Sequence, residues 1–218
     1  MACGDADPMR KCECHVLSVS GRFRKLERLF RLVALALLLG SPPAFAGSGE
    51  ELHVRLIRHY VETRIRPWLS DPRLVNAIRE QNKKTAEYTS FDFVDLDKTW
   101  QLELESDTHP LIDSVLRNKL ADFLREKQEE AGGAITEIIV MDGRGLNVAI
   151  SDVTSDYWQG DEPKFRKTVG EGSEGFVIEE PTQDQSSQML QSQASITITN
   201  EKGIPIGAVS FGINLDQL

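Results

Sequence analysis

Residues 135–153 read Ile135-Thr-Glu-Ile-Ile-Val-Met-Asp142-Gly-Arg-Gly-Leu146-Asn-Val-Ala-Ile150-Ser-Asp-Val153. Ile135 to Met141 is β-branched and apolar, Asp142-Gly143 is a turn signal, and Leu146 to Val153 alternates as a second strand. Downstream, Phe176 to Glu179 predicts a third strand and Pro181 to Ser187 a polar loop. Met189 to Thr199 is a long fourth strand. Leu190, Ser192, Ala194, Ile196 and Ile198 share one face; Gln193, Ser195 and Thr197 lie on the other, as a pocket floor or a solvated face. Glu201-Lys202-Gly203 turns into a fifth strand, Ile204 to Ile213, so the last two strands form an antiparallel hairpin.

Upstream the period is helical. Leu52, Leu56, Ile57, Tyr60, Val61, Ile65 and Trp68 mark an amphipathic helix ending near Pro67. Asp71 as N-cap and Pro72 at the first helical position open a second, with Val75, Ile78 and Ala77 inward, up to Asn82. Asp95 to Leu104 predicts a third, with Leu96, Trp100 and Leu104 as its stripe, and His109-Pro110 opens a fourth through Glu130. Glu162 to Val169 holds a short helix between the second and third strands. Helices first and strands afterwards is an α+β order.

The N-terminus reads as a secretory leader. Arg22, Arg24, Lys25, Arg28 and Arg31 form a basic region, Leu32 to Leu39 is apolar, and Ala44-Phe45-Ala46 fits a cleavage site, so residues 1–46 are expected to be removed. The apolar run is short for a membrane span, and no stable membrane insertion is expected. The sequence ahead of the basic region reads as an upstream extension, with translation starting at Met9 or later. Residues 47–218 are expected to form one domain. They hold 18 Lys and Arg against 30 Asp and Glu, a balance of −12 that disfavours nucleic acid and anionic lipid. Cys3, Cys12 and Cys14 all lie in the leader, which excludes disulfides and thiol catalysis from the mature chain.

Three stretches resemble the Cache (PAS-like, PDC) family of extracellular sensor domains, in its small single-module periplasmic form. They are Ile138-Ile-Val-Met-Asp-Gly-Arg-Gly-Leu-Asn147, Thr154-Ser-Asp-Tyr-Trp-Gln-Gly-Asp-Glu162 with Lys164-Phe165, and Ile204-Pro-Ile-Gly-Ala-Val-Ser-Phe-Gly-Ile213. The resemblance implies a five-stranded antiparallel sheet with the long N-terminal helix on one side. It also implies a small-molecule pocket between the sheet and the segment joining strands two and three. Many relatives sit between membrane helices and drive a kinase, cyclase or chemoreceptor. No C-terminal membrane helix or output domain follows here, so the expected role is a soluble periplasmic sensor that acts through a separate membrane kinase or cyclase. The alternative is a ligand-free protein-interaction module. The first helix offers a homodimer surface, as in relatives. Relatives that bind amino acids carry an Arg before a Trp-Tyr pair; Asp156-Tyr157-Trp158 departs from that, and the carboxylate-gripping role is not carried over.

Tyr157, Trp158 and Asp161 are the candidate ligand residues, with Asp156 and Asp152 as helpers. Aromatic faces beside carboxylates suit an amine-containing ligand, and a cation over a ring gains about 0.5–2 kcal/mol. The competing reading has Tyr157 and Trp158 plugging the sheet, Asp156 capping a turn and Asp161 capping the following helix. The sequence has no Gly-rich phosphate loop, Ser elbow or His-rich metal spacing, so no enzyme, cofactor or metal is expected. Asp92, Asp95 and Asp97 fail as a calcium loop, because Trp100 stands where the sharp turn needs glycine.

Overall fold

The computed structural model describes residues 51–172, 175–183 and 189–218; the expected leader, residues 1–46, and part of the expected polar loop lie outside them. α1 (Leu52–Tyr60) continues through a π-helical turn (Val61–Ile65) and a 3-10 turn (Arg66–Trp68). Ile57, Val61, Ile65 and Leu69 are all buried, so the four-residue spacing keeps one face inward through the change of pitch. Asp71 caps α2 (Pro72–Thr85) by accepting from the Arg73 N–H at 2.8 Å. The buried apolar residues of α2 are Leu74 and Ile78, with Val75 and Ala77 at the rim, a slight rotation from the expected face.

α3 (Ser90–Leu104) starts well before the expected Asp95, because Thr89 and Asp92 form a capping box. Phe93 and Trp100 turn inward, while Leu104 is 41% exposed. The expected single helix from 109 to 130 is two: α4 (Pro110–Leu116) and α5 (Lys119–Glu130). Asn118 breaks it by capping α5, its Oδ1 accepting from the Leu120 and Ala121 N–H groups at 3.0 and 2.9 Å. Glu103 caps α4, accepting from the N–H groups of Leu111 and Ile112 at 2.8 and 3.0 Å.

The strands are β1 (Ile135–Asp142), β2 (Asn147–Ile150), β3 (Phe176–Ile178), β4 (Thr182–Gln183), β5 (Leu190–Thr199) and β6 (Pro205–Asn214). They pair antiparallel in the order β2-β1-β6-β5-β3, with the two-residue β4 also on β5. This five-strand path is the sheet that the Cache resemblance implies; Thr182–Gln183 departs from the expected loop by pairing with Leu190 and Gln191. α6 (Pro163–Val169) lies between β2 and β3 in the chain.

One sheet face packs Ile138, Val140, Ala194, Ile196, Val209, Phe211 and Ile213 against the N-terminal helices and α5. Trp68 joins it edge-on to Phe123 and Phe211, with ring centroids 5.6 and 5.7 Å away. The other face carries Ile139, Met141 and Ala208 into a second cluster with Phe93, Trp100, Ile112, Val115, Tyr157 and Phe165. Ser195 and Thr197 lie there too, and they are buried. The solvated-face alternative fails for both because α6 covers that end of the sheet: Thr197 Oγ1 donates to the Thr168 carbonyl at 2.9 Å. At the β1–β2 turn Gly145 has φ +87°, and a Cβ there would overlap the Gly160 backbone.

Candidate functional site

After β2 the chain folds back under α3. Asp97 Oδ1 accepts from the backbone N–H groups of Tyr157 and Trp158 at 3.0 and 3.2 Å. The Tyr157 ring stacks on Trp100 and the Trp158 ring on Phe93, each with centroids 5.5 Å apart. Trp158 Nε1–H donates to the Arg144 carbonyl at 2.8 Å. The Arg144 guanidinium lies over Phe93, 4.8 Å from its centroid, and donates to the last carbonyls of α2, Thr85 and Ala86, at 3.3 and 3.2 Å. The aromatic pair is therefore engaged by α3 and the β1–β2 turn.

The expected site residues separate in space. Asp156 accompanies Tyr157 and Trp158, its carboxylate accepting from Ser155 Oγ at 2.6 Å and Gln101 Nε2 at 3.2 Å. Asp161 is exposed, and Glu162 takes the N-cap position of α6 instead. Asp152 accepts from Gln128 Nε2 at 2.9 Å and Ser151 Oγ at 3.0 Å. It lies near β1 and α5, and its charge reaches Glu137 on the α6 side of the sheet.

A second polar group lies on that α6 side; of it the sequence offered the row Gln193, Ser195 and Thr197 as a pocket floor, but not Glu137 or Lys164. Three rows cross β1, β6 and β5: Glu137–Gly212–Gln193, Ile139–Ser210–Ser195 and Met141–Ala208–Thr197. The central strand contributes only small residues, so the side chains of β1 and β5 flank a trough onto which α6 packs. Gly212 has no side chain, so Gln193 Nε2 reaches across it to donate to Glu137 Oε1 at 3.0 Å. Ser195 Oγ donates to Ser210 Oγ at 3.0 Å in the next row. From α6, Lys164 is buried with its Nζ 3.1 Å from Glu162 Oε2. Burial pushes the Glu137 carboxyl above its ordinary value; the Lys164 charge and the Gln193 hydrogen bond pull it down, and Asp152 and Glu162 push it up. The trough thus has a polar, mostly acidic end and an apolar end at Met141 and Ala208. One signal was available: Glu137 is the single charge inside the apolar run 135–141, at period-two spacing from Ile139 and Met141.

Tyr157 faces a different space. Its side chain lines a cavity of about 460 Å³ between α2, the α4–α5 junction and β2. There its hydroxyl oxygen accepts from Gln81 Nε2 at 3.2 Å, and burial pushes its pKa up to about 12. β2 is the sheet edge, and Asn118 Nδ2 donates to its Val148 carbonyl at 3.0 Å, which shields that edge from pairing. One group of metal-capable side chains, Glu51, His53 and Glu180, brings its ligand atoms within 4.8 Å of one another; both carboxylates are exposed. Among the described residues no helix is long and apolar enough to cross a membrane.

No protein-family model and no curated protein matches the chain. Solved structures do. The sensor domain of the V. cholerae histidine kinase DctB is 11% identical, with 90% of this chain and 59% of that one covered at a TM-score of 0.44. The ligand-binding domain of the Pseudomonas aeruginosa PAO1 amino acid chemoreceptor PctC, in complex with GABA, is 13% identical over 57% of this chain and 59% of that one, at 0.36. The ligand-binding domain of Mlp24 with asparagine is 14% identical over 77% and 62%, at 0.33. The chain spans about three fifths of the length of each. All three are sensor or ligand-binding domains, the class to which the Cache resemblance points. At these scores they carry nothing about this chain's chemistry, and its fold rests on its own α+β layering and strand order.

Proposed function

We propose that this protein is a soluble periplasmic small-molecule sensor, which holds an amine-bearing ligand between the sheet and α6 and acts through a separate membrane kinase or cyclase. The observation that carries the reading is the charge set of the trough. Lys164 pairs with Glu162 at 3.1 Å, the charges of Lys164, Asp152 and Glu162 all act on Glu137, and burial disfavours an ionised Glu137. Buried charges are poor sources of stability, and a bound ammonium would supply the missing counter-charge. Of the residues singled out in the sequence, Asp152 reaches this set through its charge on Glu137. Tyr157, Trp158 and Asp156 hold the loop that frames it, and Asp161 stands at the solvent edge.

The test is a thermal-shift screen against amines, amino acids, carboxylates and purines, with Glu137→Gln as the control. A ligand at a hundred times its Kd adds about 2.7 kcal/mol, which raises the melting temperature of a domain this size by about 5–10 °C. The shift should appear with amines and amino acids and vanish in Glu137→Gln. A second reading, the ligand-free interaction module, draws on the outer face of α3, where Phe91 and Leu102 are 80% and 73% exposed. It gains if no compound class shifts the melting temperature.

A further inference from the structure

We infer that the cavity between α2, the α4–α5 junction and β2 is a second ligand site, for a small organic anion whose carboxylate is carried on an apolar body. It shares no lining residue with the trough and does not depend on the amine reading. The chain carries a net charge of −9, yet Lys84 and Lys119 line this cavity together with Arg73, whose guanidinium already pairs with Asp71 at 2.8 Å. Its single lining carboxylate, Glu80, is already paired with Lys83 at 2.7 Å. The site therefore repels cations and favours an anion.

A buried donor points the same way. Tyr157 is 6% exposed, and among the described residues its hydroxyl accepts one hydrogen bond, from Gln81, and has no acceptor for its own proton. Burial keeps that proton in place across the physiological range, so the group is a permanent donor. The N-terminal end of α5, at Lys119, adds the positive end of a twelve-residue helix. The remaining wall is mostly apolar, formed by Ala77, Val115, Leu120 and Val148, with Ser114 and Asn118 whose side-chain donors are already bound to the Leu111 and Val148 carbonyls. Inorganic phosphate would leave that wall wet, whereas a carboxylate on a hydrocarbon frame covers it. The volume of about 460 Å³ suits such a molecule.

The test is an amide-resolved NMR titration of the full chain with benzoate, benzamide and inorganic phosphate. Benzoate should cause saturable shifts around Val148, Leu120 and Tyr157, with benzamide and phosphate at least tenfold weaker. The double variant Lys84→Glu/Lys119→Glu changes two exposed side chains and should weaken benzoate at least tenfold. Tyr157→Phe keeps the stack on Trp100 and should weaken it by about tenfold, the worth of one charge-assisted hydrogen bond. The inference is overturned if benzoate causes no saturable shift, if benzamide or phosphate binds as well, if both variants bind benzoate like the parent, or if the shifts centre on Glu137 and Gln193.

Discussion

Asn118→Ala tests the helical layer by the sign of its effect. The Asn118 side chain makes three contacts: its Oδ1 caps α5 through the Leu120 and Ala121 N–H groups, and its Nδ2 donates to Val148 at the sheet edge and to the Ser114 carbonyl of α4. Losing the cap costs about 1 kcal/mol. Losing the Nδ2 bond to Val148 costs about 1 kcal/mol more, since Val148 is a buried edge residue. The sum of about 2 kcal/mol lowers the melting temperature by about 4–8 °C for a domain of this size. Asn118→Asp keeps the capping oxygen, loses the donor and should recover about half of the loss. Thermal and urea unfolding of the parent and both variants provide the comparison. Alanine is the better helix former, so a continuous helix from 109 to 130 would gain about 0.5 kcal/mol from Asn118→Ala. A variant as stable as the parent or more so would refute the two-helix arrangement and the capping argument together.

Glu137→Gln should stabilise the ligand-free protein at pH 7. Its raised folded pKa means that the native state holds the proton more tightly than the unfolded chain, so its contribution is present below the unfolded value of 4.5 and is lost as pH rises through the folded value. Urea midpoints between pH 4 and 8 should fall less steeply in the variant, and parallel profiles would count against a buried carboxyl. Asp71 behaves oppositely: the Arg73 hydrogen bond holds its carboxyl below the ordinary value, so its stabilisation is present above pH 3.8 and is lost on acidification. Asp71→Ala should cost about 1 kcal/mol at neutral pH in urea unfolding and little in strong acid. Trp158→Phe keeps the stack on Phe93 and gives up the bond to Arg144, a loss of about 1 kcal/mol, whereas Trp158→Ala should cost about 3–5 kcal/mol by calorimetry. Gly145→Ala should destabilise by more than 1 kcal/mol, because its positive φ and the adjacent Gly160 backbone both exclude a Cβ.

Much of the candidate site was absent from the sequence reading for a geometric reason. Tyr157, Trp158, Asp156, Asp161 and Asp152 stand within ten residues of one another, and local chemistry suggested one site. The chain turns between them. Asp97 fixes the Tyr157 and Trp158 backbone beneath α3, while Asp152 stays near β1 and α5. The trough itself joins Glu137, Lys164, Gln193 and Gly212, and their meeting depends on strand register and on where α6 settles.

Local sequence determined the α+β order, the strand hairpins, the Asp71 cap and the face shared by Leu190, Ser192, Ala194, Ile196 and Ile198, of which all but the exposed Leu190 are buried, because each follows from backbone geometry within a few residues. Tertiary packing decided the rest. It split the fourth helix where Asn118 found Val148, buried Ser195 and Thr197 under α6, and assigned Tyr157 and Glu137 to separate hollows. Those outcomes depend on partners tens of residues away, which no local spacing encodes.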